Sequence, residues 1–187
     1  MNKIKKALVA LVATVLFATS ATVAWAETTS EEQASNQQIA KKVRHELVTL
    51  PYYGVFDNLA YKVDASTVTL YGQVLRPSTR SDAKRRVERI KGVTRVVNNI
   101  EVLPLSSFDD SIRVRTFRVL FGKGSLYRYA LGANPSIHII VNRGHVTLEG
   151  VVANKLDKQL AFFAANEVSD VFSVTNNLRI ENEGVRY

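Results

Sequence analysis

The residues that could do chemistry are few and thinly spread. The chain has 187 residues, three histidines and no cysteine. Without thiols there is no disulfide framework, no thiolate metal site and no cysteine nucleophile. His138 and His145 fall on opposite arms of an expected hairpin, where two imidazoles could begin a zinc site. No third ligand follows at a matching spacing. The serines lack the Gly-x-Ser-x-Gly elbow of an activated nucleophile, and the acidic residues are scattered without a pair whose spacing would set two carboxylates to work on one substrate. No enzyme activity, metal or cofactor is therefore expected. Gly72 and Gly150 each leave an alternating apolar run and enter a helical one, as a phosphate-binding turn would. A lone glycine is a weak form of that signal, and a tight strand exit accounts for it equally. Asn98-Asn99 and Asn176-Asn177 are expected to bond local backbone.

Residues 1–26 stand apart from whatever fold carries these groups. Lys3, Lys5 and Lys6 precede an uncharged apolar run from Ala7 to about Phe17, and Ala24-Trp25-Ala26 is a small-x-small sequence before the polar Glu27-Thr28-Thr29-Ser30. That order is expected of a cleaved secretory signal peptide, with the bacterial periplasm as destination. With no cysteine there is no lipobox. The leader lysines account for three of the +8 net charge, leaving +5 on the mature chain. A modest positive charge in that compartment favours anionic lipid or polymer over nucleic acid.

The remaining chain repeats itself. Residues 59–102 align without a gap on 137–180, at an offset of 78. Val68-Thr69-Leu70-Tyr71-Gly72 matches Val146-Thr147-Leu148-Glu149-Gly150; Val93, Val96, Asn98 and Asn99 match Val171, Val174, Asn176 and Asn177. Two copies are expected, 35–104 and 108–182, joined by a linker at 105–107 after Pro104. So short a connection favours contact between them.

Each copy reads α-β-β-α-β. Ile39, Val43, Leu47 and Leu50 form a helical stripe expected to start near Ser35 or Asn36 and to stop at Pro51. Leu59, Tyr61 and Val63, then Val68 and Leu70, alternate around a turn at 64–66; Ile137, Ile139 and Val141, then Val146 and Leu148, do so around Asn142-Arg143-Gly144. Second helices are expected near 78–91 and 155–169, and closing strands through Val96, Ile100 and Val102 and through Val174, Leu178 and Ile180. The fold class is α+β: two tandem domains, each a three-stranded mixed sheet with two helices on one face.

The series Val-Thr-Leu-x-Gly-x-Val, a helix, then Gly-Val-x-x-Val-x-Asn and a strand resembles the BON domain. It is carried by Val68–Val74 with Gly92–Asn98, and by Val146–Val152 with Val171–Asn177. The second copy departs at Asp170, where the first has Gly92; Asp tolerates left-handed backbone better than most residues. The resemblance implies a periplasmic protein of the osmotically induced or envelope-maintenance type, protecting against stress. Several relatives bind anionic phospholipid or assist other envelope proteins. The family has no general enzymatic activity and no shared catalytic residues.

The copies differ where a partner would be met. The first copy's second helix carries Arg80, Lys84, Arg85, Arg86, Arg89 and Lys91, either as a solvated face beside Asp82 and Glu88 or as a basic strip for head groups. Its counterpart carries Leu156, Leu160 and Phe163, with Phe162 adjoining, as a second apolar face. That face is expected to be an interface, packing on the other copy, a second protomer, a lipid or a client. In the opening of copy two, Arg113, Arg115 and Arg118 punctuate an apolar helix, and Lys123, Leu126, Tyr127, Arg128 and Tyr129 follow. Rings and long cations suit a membrane interface, so these eight residues are the expected lipid-binding patch. The competing reading has Leu126, Tyr127 and Tyr129 covering sheet or core. Two functions follow: binding an anionic phospholipid surface through the second copy, or a chaperone-like interaction with envelope proteins. An oligomer fits either.

Overall fold

The computed structural model describes residues 21–181, apart from 123 and 133. Residues 1–20 of the expected leader at 1–26 lie outside the described residues, as does residue 182. Helix α1 (Ala21–Val48) begins well before the expected start at Ser35. Residues 27–38 hold no Gly or Pro and are rich in Glu and Gln, so nothing stops the helix there. It ends at Val48, ahead of Pro51, and Tyr52 turns the chain with φ +67°.

The first copy then forms β1 (Asn58–Asp64), β2 (Thr67–Val74), α2 (Pro77–Glu88) and β3 (Arg95–Val102). β1 and β2 are antiparallel, closing at Asp64 opposite Thr67; β2 and β3 are parallel, with Val68 opposite Val96. Ile39, Val43 and Leu47 of α1 and Ala83 and Val87 of α2 bury against Val68, Leu70, Val74 and Ile100 on one face. The second copy repeats this with α3 (Ser107–Phe121), a short 3-10 helix (Ser125–Ala130), β4 (Ile137–Asn142), β5 (His145–Val152) and α4 (Lys155–Asn166). Its last strand is split into β6 (Ser173–Asn176) and β7 (Arg179–Ile180), both parallel to β5. Ile112 and Leu120 of α3 and Ala161 and Ala165 of α4 complete its core.

The repeated glycines and the first asparagine of each pair resolve as backbone fittings, whereas Asn177 donates to the Glu149 carboxylate at 2.7 Å. Gly72 has φ +114°, and a Cβ there would lie 2.0 Å from the Asn58 carbonyl oxygen; Gly150 has φ +120° and the same 2.0 Å approach to Ser136. Both glycines lie within their strands, two residues short of the end and not at an exit, because the backbone entering the neighbouring strand passes too close for a Cβ. The Asn98 amide donates to the Arg80 carbonyl (3.1 Å) while its oxygen accepts from Ile100 N–H (3.2 Å). Asn176 does the same with Lys158 (2.8 Å) and Leu178 (3.2 Å), so each asparagine ties the last strand to the second helix. Asp170 takes φ +69° where Gly92 has +100°, and the turn survives the exchange.

The copies meet through residues 53–56, which lie between α1 and β1. The Val55 carbonyl, in the turn Gly54–Asp57, accepts from Ile139 N–H at 2.7 Å and so satisfies one donor on the outer edge of β4. Val55 and Phe56 pack on the second core, with the Phe56 ring edge-on to Phe117 at 6.2 Å. The Asn134 amide donates to the Val48 carbonyl at 2.9 Å.

Candidate functional site

The start of α3 is fixed by two details of its amino-terminal sequence. Ser106 caps the helix, its hydroxyl accepting from Asp109 N–H at 3.1 Å. The buried Asp109 carboxylate then accepts from Arg143 N–H (2.9 Å) and Gly144 N–H (2.8 Å), clamping the β4–β5 turn to the helix. The clamp brings Phe108 and Phe172 together over Gly144, with rings 5.9 Å apart. A Cβ on Gly144 would come within 2.7 Å of the Phe172 ring. His145 stacks edge-on at 5.8 Å from Phe172 and holds Ser173 Oγ at 2.7 Å through Nδ1.

At 100° per residue, Phe108, Ser111, Val114, Arg115, Arg118 and Val119 share one side of α3. That side faces outward: Phe108, Val114 and Val119 are each more than two-fifths exposed, and Phe172 beside them is 67% exposed. Arg118 and Arg143 are exposed there too. Arg115 is partly held by Asp170, 2.8 Å away. The result is a strip of apolar and aromatic groups edged with arginine.

The expected eight-residue patch is divided by the fold. Arg113 is only 2% exposed: it turns inward, donating to the Val141 carbonyl at 2.6 Å and pairing with Asp110 at 2.5 Å. Leu126 and Tyr129 are buried in the second core, as the competing reading had it. The Tyr129 hydroxyl donates to Asp157 at 2.6 Å and accepts from Ala153 N–H at 2.9 Å. Arg128 is exposed but paired with that same Asp157. Burial works against the Asp157 carboxylate, yet Tyr129, Arg128 and Asn154 hold its pKa below the ordinary carboxylate value. Arg115, Arg118 and Tyr127 remain at the surface, and Lys123 lies outside the described residues. Phe108 and Phe172 were missed because they sit 64 residues apart. Only the clamp of Asp109 onto the hairpin turn, invisible to helical periodicity, unites them.

The second apolar face stays open. On α4, Leu156 and Phe163 are 62% and 59% exposed, Leu160 is exposed and Phe162 half-buried against Phe163. The first copy does not cover it, because the junction is made by residues 53–56 instead. On α2, Lys84 pairs with Glu88 at 3.6 Å, Arg85 with Asp82, and Arg86 with Glu46 at 3.4 Å. His138 and His145 do not converge: His138 pairs with Glu149 across the ladder, and His145 with Asn142 at the turn. Among the described residues no cluster of His, Asp and Glu could hold a metal ion, and no described helix is long and apolar enough to cross a membrane.

The model of the BON domain matches residues 35–104 and again 128–182. The chain belongs to the BON domain family. The second match begins after α3, although α3 packs on the second sheet as α1 does on the first. No curated protein matches the chain. The solved structures that align with it include two of CdsD, a structural protein of the type III secretion system of Chlamydia trachomatis. Its C-terminal domain shares 10% identity, with 75% of this chain and 96% of that one covered, at a TM-score of 0.27. The other shares 11% identity, with 80% and 99% covered, at 0.30. With two BON domains in tandem, the α3 strip belongs to the second.

Proposed function

We propose that this tandem BON protein is a periplasmic, non-enzymatic envelope-protection protein that docks on anionic phospholipid through its second BON domain. The observation that carries the reading is the α3 strip, in which Phe108, Val114, Val119 and Phe172 stand exposed beside Arg118 and Arg143. Exposed rings and aliphatic groups gain by entering the interfacial region, and each arginine near an anionic surface adds about 1 kcal/mol. The apolar leader and the family's signal-peptide context support export to the periplasm, which cell fractionation and N-terminal sequencing would test. The test of docking is co-sedimentation with vesicles, with and without anionic lipid, at low and high salt. Binding should require anionic lipid, weaken with salt and be lost in the double variant Phe108→Asp, Phe172→Asp. Unchanged binding by that variant would overturn the role of the strip.

The α4 stripe supports a second reading, a protein-binding module. Leu156, Leu160 and Phe163 face solvent on a helix whose other side is already buried. Binding of an envelope protein there should persist at high salt, since apolar contact is not screened.

A further inference from the structure

We propose that the groove between α1 and α2, in the first BON domain, binds an anion bearing two or more phosphate-type charges. This goes beyond the membrane reading, which uses the other domain. The groove has a volume of about 620 Å³ and is lined by Lys41, Lys42, His45, Glu46, Arg86 and Arg89. One carboxylate thus faces four permanent cations. That carboxylate is engaged: Arg86 Nη1 donates to Glu46 at 3.4 Å and to Thr49 Oγ1 at 3.2 Å. Lys41, Lys42 and Arg89 make no ion pair among the described residues. Of the α2 cations outside the groove, Lys84 and Arg85 are each paired within their helix, while Arg80 stands alone at the far end of α2, away from the other unpaired cations.

The fold does not require this charge. At the same offset of 78 the second copy has Ala164 for Arg86 and Glu167 for Arg89, and packs its helix on the sheet in the same way. Arg89 also offsets the negative end of α2, which it caps. No such account covers Lys41 and Lys42, which lie within α1 rather than at its end. Like charges held together oppose the folded state, and a multiply charged anion would reverse that repulsion. Guanidinium forks and ammonium groups together match phosphate oxygens. The lining offers only Ile90 as an apolar contact, so recognition rests on charge rather than on a ring or acyl chain. A free oligophosphate and a lipid phosphate headgroup both supply this chemistry.

The experiment titrates pyrophosphate into the full chain by calorimetry, and separately measures binding to phosphatidic acid vesicles. Saturable pyrophosphate binding is expected, weakened at least about tenfold in Lys42→Glu, Arg89→Glu. Arg80→Glu, outside the groove, and Phe108→Asp, Phe172→Asp should change it by less than about twofold. If pyrophosphate fails to bind but the groove variant alone loses vesicle binding, the ligand is a headgroup. If the groove variant matches the unmodified chain in both arms, or Arg80→Glu loses as much, the proposal is overturned. Lys42→Ala, Arg89→Ala provides the same comparison should charge reversal unfold the domain. Vesicle loss in the Phe108, Phe172 variant reports on the α3 strip alone.

Discussion

His138 Nδ1 in the second domain lies 3.2 Å from the carbonyl oxygen of Gly54 in the first. A carbonyl only accepts, so Nδ1 carries the proton and Nε2 is left to face the Tyr53 hydroxyl at 3.5 Å. Burial pushes the imidazole pKa down despite help from Gly54 and Asp57, and burial likewise lifts Tyr53 to about 12, keeping it a neutral donor. The groups facing this ring are Tyr53 and Asp57 from the first domain and Glu149 across the ladder.

A histidine buried in its neutral form binds fewer protons folded than unfolded between its lowered pKa and about 6.5. Stability is therefore whole above about 6.5 and falls as pH drops through the folded value. Asp57, whose pKa burial raises, acts in the opposite sense in the acid range. Between pH 7.5 and 5 the melting temperature should decline, and His138→Asn, which keeps a donor for Gly54 but does not titrate, should flatten that decline. An equal decline in the variant would remove His138 from the account.

Phe56→Ala should cost about 2 kcal/mol by stripping the ring that meets Phe117. Its sharper signature is geometric. Small-angle scattering should show a larger radius of gyration, because the bridge between the domains rests on Val55 and Phe56.

Gly72→Ala and Gly150→Ala should each destabilise by about 3 kcal/mol. Both positions combine a left-handed φ with a backbone oxygen 2.0 Å from the added methyl, so no rotamer escapes the clash. Denaturant melts showing less than about 0.5 kcal/mol would contradict that geometry.

Arg113 and Arg118 share a helix and should behave oppositely. Arg113→Ala should lower the melting temperature, since it strips the buried Val141 carbonyl of its donor. Arg118→Glu should leave melting unchanged and weaken anionic vesicle binding. Reversal of the two phenotypes would relocate the lipid-facing side of α3.

The repeat carried the fold because its pattern is local. Alternation in Leu59–Leu70 and Ile137–Leu148, and helical stripes through Val43 and Ala161, need only burial on one face to become strands and helices. The surface was less legible. Arg113 and Arg118 look alike in sequence, and only the position of Val141 O draws one inward. Tyr127 and Tyr129 differ because Asp157, 28 residues away from Tyr129, waits under one of them. Phe172 gains meaning only beside Phe108. The reach of α1 back to Ala21 was lost because no stop signal marks the boundary between leader and domain.

The bridge at residues 53–56 also bears on separability. By sequence those residues belong to the first repeat, yet Val55 occupies the rim of β4 and Phe56 roofs Phe117 in the second. Cutting the chain at 105–107 would leave the second repeat with a bare strand rim and an uncapped aromatic pocket, a sticky fragment prone to self-association. The first repeat would keep its own hydrophobic interior but trail a loose apolar flap. The two halves are duplicates in pattern and dependents in practice: the unit that can be excised and carried elsewhere begins upstream of Tyr53, not at the linker.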